Sequence, residues 1–268
     1  HYCRKSEIEI EGKTIHQLLA GKDPNKDQSY FLCQLNQDQL SKAMFPIGEL
    51  LKPEVRKIAR EQNLPTAERK DSQGICFVGK VDLPTFLQQQ LQPKTGNIIE
   101  IPFGFMEKKK RIAETEENYR KLCFPFPYKP WNGKIIGEHQ GAHFYTIGQR
   151  KGLNIGGHKE PLFVLATDVE RNIIYVGEGQ NHPGLFRKGL FIASEEMHWI
   201  RTDLKMSPGE KCEYDIRIRY RQPLEKGTIH LKEDGAWLIF ENEQRGITSG
   251  QFAAWYLADE LIGSGVIA

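Results

Sequence analysis

The stretch Lys211-Cys212-Glu213-Tyr214-Asp215-Ile216-Arg217-Ile218-Arg219-Tyr220-Arg221 decides the class of the last third of the chain. Cys212, Tyr214, Ile216, Ile218 and Tyr220 fall on one side of a two-residue period. Lys211, Glu213, Asp215, Arg217, Arg219 and Arg221 fall on the other. A period of two with one charged face specifies a half-buried antiparallel strand. Runs at 228–231, 237–240, 252–257 and 261–267, with Asp234-Gly235 as a turn, continue at the spacing of a small barrel or sandwich. Upstream, 97–101, 134–137, 143–147, 162–167 and 172–176 read as short strands of a smaller β-rich domain. Residues 102–130 interrupt it as a surface excursion. Glu107 to Leu122 is charged and helix-prone, and Phe124-Pro125-Phe126-Pro127-Tyr128-Lys129-Pro130 cannot be a helix.

The first 80 residues read as mostly helical. Lys13 to Ala20 is predicted as a short helix closed by Gly21. Gln37 to Met44 is predicted as another, capped by Asn36 and stopped by Pro46. A third starts at Pro53, carries Val55, Ile58 and Ala59, and closes at Asn63. A helix capped by Asp82 carries Phe86, Leu87 and Leu91. The expected division is 1–80, 81–185 with the insertion at about 102–130, and 186–268.

The chain has 268 residues, with 37 Lys+Arg against 35 Asp+Glu, a net charge of +2. That balance excludes disorder driven by charge, and any nucleic-acid surface must be a local patch. No apolar run reaches the roughly 18–20 residues of a spanning helix, so no membrane partner is expected. The five cysteines include no CxxC pair, which disfavours a disulfide scaffold or a four-cysteine zinc site and fits a reducing cytoplasm.

Cys76 is the sharpest chemical candidate. It sits in Lys70-Asp71-Ser72-Gln73-Gly74-Ile75-Cys76-Phe77-Val78-Gly79, with Arg69 and Lys80 close by. Nearby cations stabilise a thiolate, and glycines free the backbone around a nucleophile. Cys33 and Cys212 fit inert, buried thiols; Cys3 and Cys123 carry no argument either way. Lys26-Asp27-Gln28 offers a cation, an acceptor and a two-way amide, the groups that read phosphates and base edges. The run Gly148-Gln149-Arg150-Lys151-Gly152-Leu153-Asn154-Ile155-Gly156-Gly157 is either a phosphate-contacting loop or a tight connection, but it lacks Walker A spacing. Arg217, Arg219 and Arg221 make a basic strand face suited to tracking phosphates. His139 and His143 are read as non-ligands, and no metal site is expected.

Taken with Phe45-Pro46-Ile47-Gly48, Tyr145-Thr146-Ile147-Gly148-Gln149-Arg150 and Ser249-Gly250-Gln251, the Lys26 and Cys76 segments make the chain resemble the tRNA-specific 2-thiouridylases (MnmA/TrmU family) over nearly its whole length. The resemblance implies an α+β multidomain protein. Its parts would be the helical remnant of an α/β PP-loop catalytic domain, a small β-rich central domain and a C-terminal antiparallel β-barrel. It implies a tRNA-uridine 2-sulfurtransferase, which transfers sulfur to C2 of the wobble uridine with ATP, and Mg2+ with it. ATP adenylates the C2 oxygen so that AMP can leave. Cys76 matches the persulfide-bearing cysteine, loaded by a sulfur-carrier or cysteine desulfurase relay protein. His1, Lys26, Asp27, Gln28, Arg219, Tyr220 and Gln251 match tRNA-contacting positions. The family's Ser-Gly-Gly-x-Asp-Ser loop and second catalytic cysteine have no counterpart in these residues. The expectation is therefore a C-terminal portion, inactive alone, whose ATP site lies in an N-terminal half not included here. The rival readings are a non-catalytic RNA-binding module and a thiol redox protein centred on Cys76.

Overall fold

The structure, a computed structural model, describes residues 1–68, 92–107 and 113–268. The predicted helix from Asp82 and the whole Cys76 segment lie outside the described residues. In chain order the strands are β1 (Cys3–Ile10), β2 (Lys13–Ala20), β3 (Gly96–Glu100), β4 (Lys134–His139), β5 (Leu162–Asp168), β6 (Ile173–Glu178) and β7 (Phe186–Ala193). They continue as β8 (Met197–Trp199), β9 (Lys211–Arg217), β10 (Glu225–Lys232), β11 (Gly235–Arg245), β12 (Phe252–Leu257) and β13 (Glu260–Val266). The helices are α1 (Gln37–Lys42), α2 (Lys52–Glu61), α3 (Phe103–Glu107) and α4 (Tyr119–Cys123). The chain divides into two compact units. The first is 1–70, 190–242 and 249–268; the second is 71–189 and 243–248.

In the first unit, the predicted helix at Lys13 to Ala20 is instead strand β2, paired antiparallel with β1 from Cys3↔Ala20 to Ile10↔Lys13. Ile15, Leu18 and Leu19 follow the i, i+3, i+4 spacing of a helix, whereas in the strand Leu18 faces the side opposite Ile15 and Leu19, so helical periodicity misleads here. The deciding local signal is the two-residue turn Glu11-Gly12, both at positive φ (50° and 74°), the hairpin conformation that glycine favours. The hairpin continues into the C-terminal strands through Glu260↔Leu19 and Leu261↔Leu18. The sheet order is β1-β2-β13-β12-β9-β10-β11-β7, with β8 on β13. One core serves both ends of the chain. Cys3, Leu18, Tyr30, Cys33 and Leu40 pack with Ile200, Ala254, Tyr256 and Leu261. The other predicted helices of this stretch form. Asn36 caps α1 in a reciprocal capping box with Gln39, and Pro53 sits in the first turn of α2.

The second unit is built on the sheet β4-β3-β6-β5, in which β3 and β6 are parallel. Ile98, Val164, Ile174 and Val176 pack on one side of it, and Ile99, Ile101, Leu165 and Tyr175 belong to a second cluster. The strand predicted at 143–147 is absent. Ala142–Phe144 is a 3-10 turn, entered through Gly141 at φ 137° and held by the Ala142 N–H on Asn172 Oδ1. The excursion is partly core. Tyr119, Leu122, Cys123 and Tyr128 are buried, and Tyr128 stacks on Tyr175 at 5.4 Å.

Candidate nucleic-acid interface

The interface is built in the first unit from the loop 21–30 and the end of β9. The loop is folded around two carboxylates. Asp27 Oδ1 accepts the N–H groups of Gly21 (3.1 Å) and Ser29 (3.0 Å). Asp23 accepts the N–H groups of Asn25 and Lys52, both at 3.0 Å, which ties the loop to the start of α2. Gln28 is joined to Tyr2 twice: its N–H donates to Tyr2 O at 2.9 Å, and its Oε1 accepts the Tyr2 N–H at 3.0 Å. Two glycines allow β1 to pass this closely. A Cβ on Gly21 would lie 2.5 Å from Tyr2 O, and one on Gly48 would lie 1.8 Å from Cys3 O. Gly48 is the last residue of the Phe45-Pro46-Ile47-Gly48 motif, and its own carbonyl accepts the Lys22 N–H.

The basic strand face expected at Arg217, Arg219 and Arg221 needs correction. β9 ends at Arg217, and the next residues form a turn that closes with Arg221 at φ 65°. Arg217 is spent internally. It donates to Asp27 Oδ2 at 2.8 Å, with side-chain exposures of 11% and 4%, and it lies over the Tyr256 ring at 5.6 Å. The cations gathered near Lys52 come from several elements. Lys52 is held below the ordinary lysine value by burial first, then by repulsion from Lys26, Arg56 and Arg221. Lys26, Arg56 and Arg221 each lie close enough to Lys52 to repel its charge, and positive charges gathered in this way favour an anion beside them.

Aromatic rings adjoin these cations. Phe31 meets Tyr220 at 4.5 Å between centroids, and Arg221 lies 5.1 Å from the Tyr220 centroid. Tyr30, next to Phe31, is turned inward. Its hydroxyl donates to Phe252 O at 2.9 Å, and burial pushes its pKa up to about 12.

Of the residues expected to touch tRNA, Gln28 lies against the segment that carries His1, and Lys26 lies with Lys52, Arg56 and Arg221. Arg219 and Tyr220 sit together in the turn after β9. Gln251 lies in the turn before β12, its carbonyl accepting the Ile267 N–H, one residue from the Phe252 carbonyl that anchors Tyr30. Cys76 is outside the described residues. Phe31, Lys52 and Arg56 were missed by sequence reasoning. The i, i+4 spacing of Lys52 and Arg56 on one face of α2 is the signal that marks the latter two.

Family models match three stretches. A tRNA methyl transferase HUP domain matches residues 1–80, a tRNA methyl transferase PRC-barrel domain 128–178, and an aminomethyltransferase β-barrel domain 190–267. All of this chain aligns with the tRNA-specific 2-thiouridylase MnmA of Flavobacterium johnsoniae at 58% identity, covering 69% of that protein. The proteins of the same name from Christiangramia forsetii and Karelsulcia muelleri are 56% and 47% identical, with 69% and 68% covered. The chain belongs to the tRNA-specific 2-thiouridylase family.

Thiouridylases are named for sulfur chemistry, so the cysteines matter. Cys3, Cys33 and Cys123 are buried. Burial pushes the Cys3 thiol up to about 12 and also raises Cys33, so neither is a ready nucleophile. The HUP model implies ATP use by the family. In the glycine-rich run at 148–157 the first two residues are held internally. Its Gly148 N–H is held by Val164 O at 2.7 Å and its Gln149 N–H by Thr146 O at 3.0 Å. The Gln149 side chain closes on the Thr146 N–H and Lys151 O. These bonds fit a tight connection at the start of the run, and no step through ATP or Mg2+ is assigned to the described residues.

Proposed function

We infer that this chain serves the thiolation of C2 of the wobble uridine of tRNA, and that the cationic and aromatic surface around Lys26, Lys52, Arg56, Arg221 and Phe31 is its tRNA interface. The observation that carries this is the gathering of Lys26, Arg56 and Arg221 around Lys52, together with the exposed Phe31 ring and its partly buried partner Tyr220, on the one unit that holds every described residue expected to contact tRNA. Phosphate contacts from Lys26, Lys52, Arg56 and Arg221 fix the register of the strand. Asp27 acts by holding the loop to Arg217, because its carboxylate is already used by three donors. His1, Gln28, Arg219, Tyr220 and Gln251 complete the contact surface.

Sulfur comes from a persulfide on Cys76, loaded by a cysteine desulfurase or a sulfur-carrier protein. The high thiol pKa values of Cys3 and Cys33 support that choice by removing two competitors. ATP, with Mg2+, supplies the activation of the uridine oxygen. The proposed division at 1–80, 81–185 and 186–268 follows the order of the three family matches, while 1–70 packs in one compact unit with 190–242 and 249–268.

The test is the 2-thiouridine content of tRNA, read by mass spectrometry, from cells whose gene carries Cys76→Ala. Loss of the thio group at the wobble position is expected. Retained thiolation removes the role of Cys76. Retained thiolation together with intact tRNA binding favours the RNA-binding module reading.

A further inference from the structure

Phe31 is 54% exposed. Its direction is fixed by its neighbours in the 3-10 turn Ser29–Leu32. Ser29 is buried with its hydroxyl 3.1 Å from that of Tyr256, and Tyr30 is buried with its hydroxyl on the carbonyls of Phe252 and Ile218. At three residues per turn, drawing residues 29 and 30 inward sends residue 31 outward. A lone exposed apolar side chain is ordinary on a protein surface. This ring differs in being held. Tyr220 meets it at 4.5 Å and a 43° tilt, and Tyr220 is itself partly buried against the core, with Arg221 as a second ring neighbour. Through Arg221 the aromatic pair is joined to the electrostatic cluster of Lys26, Lys52 and Arg56. A fixed aromatic face beside cations matches an unstacked nucleobase and its phosphate.

We propose that Phe31 is the side chain on which a base of the bound tRNA stacks, with Tyr220 and Arg221 as positioning residues that hold its ring. The proposal rests on the tRNA reading above and adds to it a residue and a contact type.

The experiment titrates tRNA into the wild-type, Phe31→Ala and Phe31→Trp chains at several salt concentrations, and follows tryptophan emission. Phe31→Ala is expected to weaken binding about tenfold or more, with an unchanged salt dependence, because a neutral contact is lost. Phe31→Trp is expected to keep the affinity to within about twofold. Its emission above that of the four native tryptophans should be quenched as tRNA is added. An affinity of Phe31→Ala within about twofold of wild type, or a Phe31→Trp signal that tRNA leaves unchanged, overturns the stacking role alone. A wild-type chain that does not bind tRNA overturns both this proposal and the reading it rests on.

Discussion

Asp27 shows what one residue contributes. Its carboxylate accepts two backbone N–H groups of its own loop and bonds Arg217, 190 positions away. Removing one partner of a buried pair leaves an uncompensated charge, a loss of about 3–5 kcal/mol. Asp27→Ala is therefore expected to lower the stability of the first unit by about that amount in a urea melt. It should also weaken tRNA binding, although it makes the chain more positive; tighter binding would show that Asp27 acts through charge alone. The Lys26-Asp27-Gln28 triplet was legible in the sequence as a set of charged and hydrogen-bonding groups. That its central acid is spent on Arg217 was not, because the pairing is made by tertiary structure.

At the scale of elements, local signals were read correctly where they were self-contained. Asn36 and Gln39 form the capping box of α1, and β12 runs from Phe252 to Leu257 as the sequence indicates. The hairpin β1–β2 was misread because Ile15, Leu18 and Leu19 follow helical i, i+3, i+4 spacing and the turn signal is only Glu11-Gly12. The Phe45-Pro46-Ile47-Gly48 motif has a packing reason: Gly48→Ala would drive a Cβ into the Cys3 carbonyl. Its melting temperature should fall measurably, and an unchanged value would contradict the close approach. In the second unit His182 is fully buried. Its Nδ1 accepts the Gly184 N–H, and its Nε2 faces Ile101 O at 3.1 Å, the pattern of a neutral ring. Burial lowers its pKa. The unfolded chain then binds the proton more readily than the folded one, so stability is full above the ordinary histidine value near 6.5 and falls as pH drops below it. His139 is lowered for the same first cause and adds to the effect. Thermal melts of the wild type between pH 7.5 and 5 should show this loss, and His182→Gln should reduce it.

Across the whole molecule, a net charge of +2 hides a local cluster. So small a net charge calls for any nucleic-acid surface to be a patch, and the proposed one is assembled from a loop, the start of α2 and the turn after β9, so no single strand displays it. The class of the protein as sheet-rich with a C-terminal set of antiparallel strands was legible. The sharing of one core by Cys3 and Leu18 with Tyr256 and Leu261 was not, since only long-range pairing creates it. The most direct measurement is the dependence of tRNA affinity on salt for the wild-type and Lys26→Ala/Arg56→Ala chains. Each cation that releases counterions contributes about one to the slope of log affinity against log salt. The account predicts weaker binding by the double variant and a slope reduced by about two. Equal affinities and equal slopes would contradict the placement of the tRNA interface on this surface.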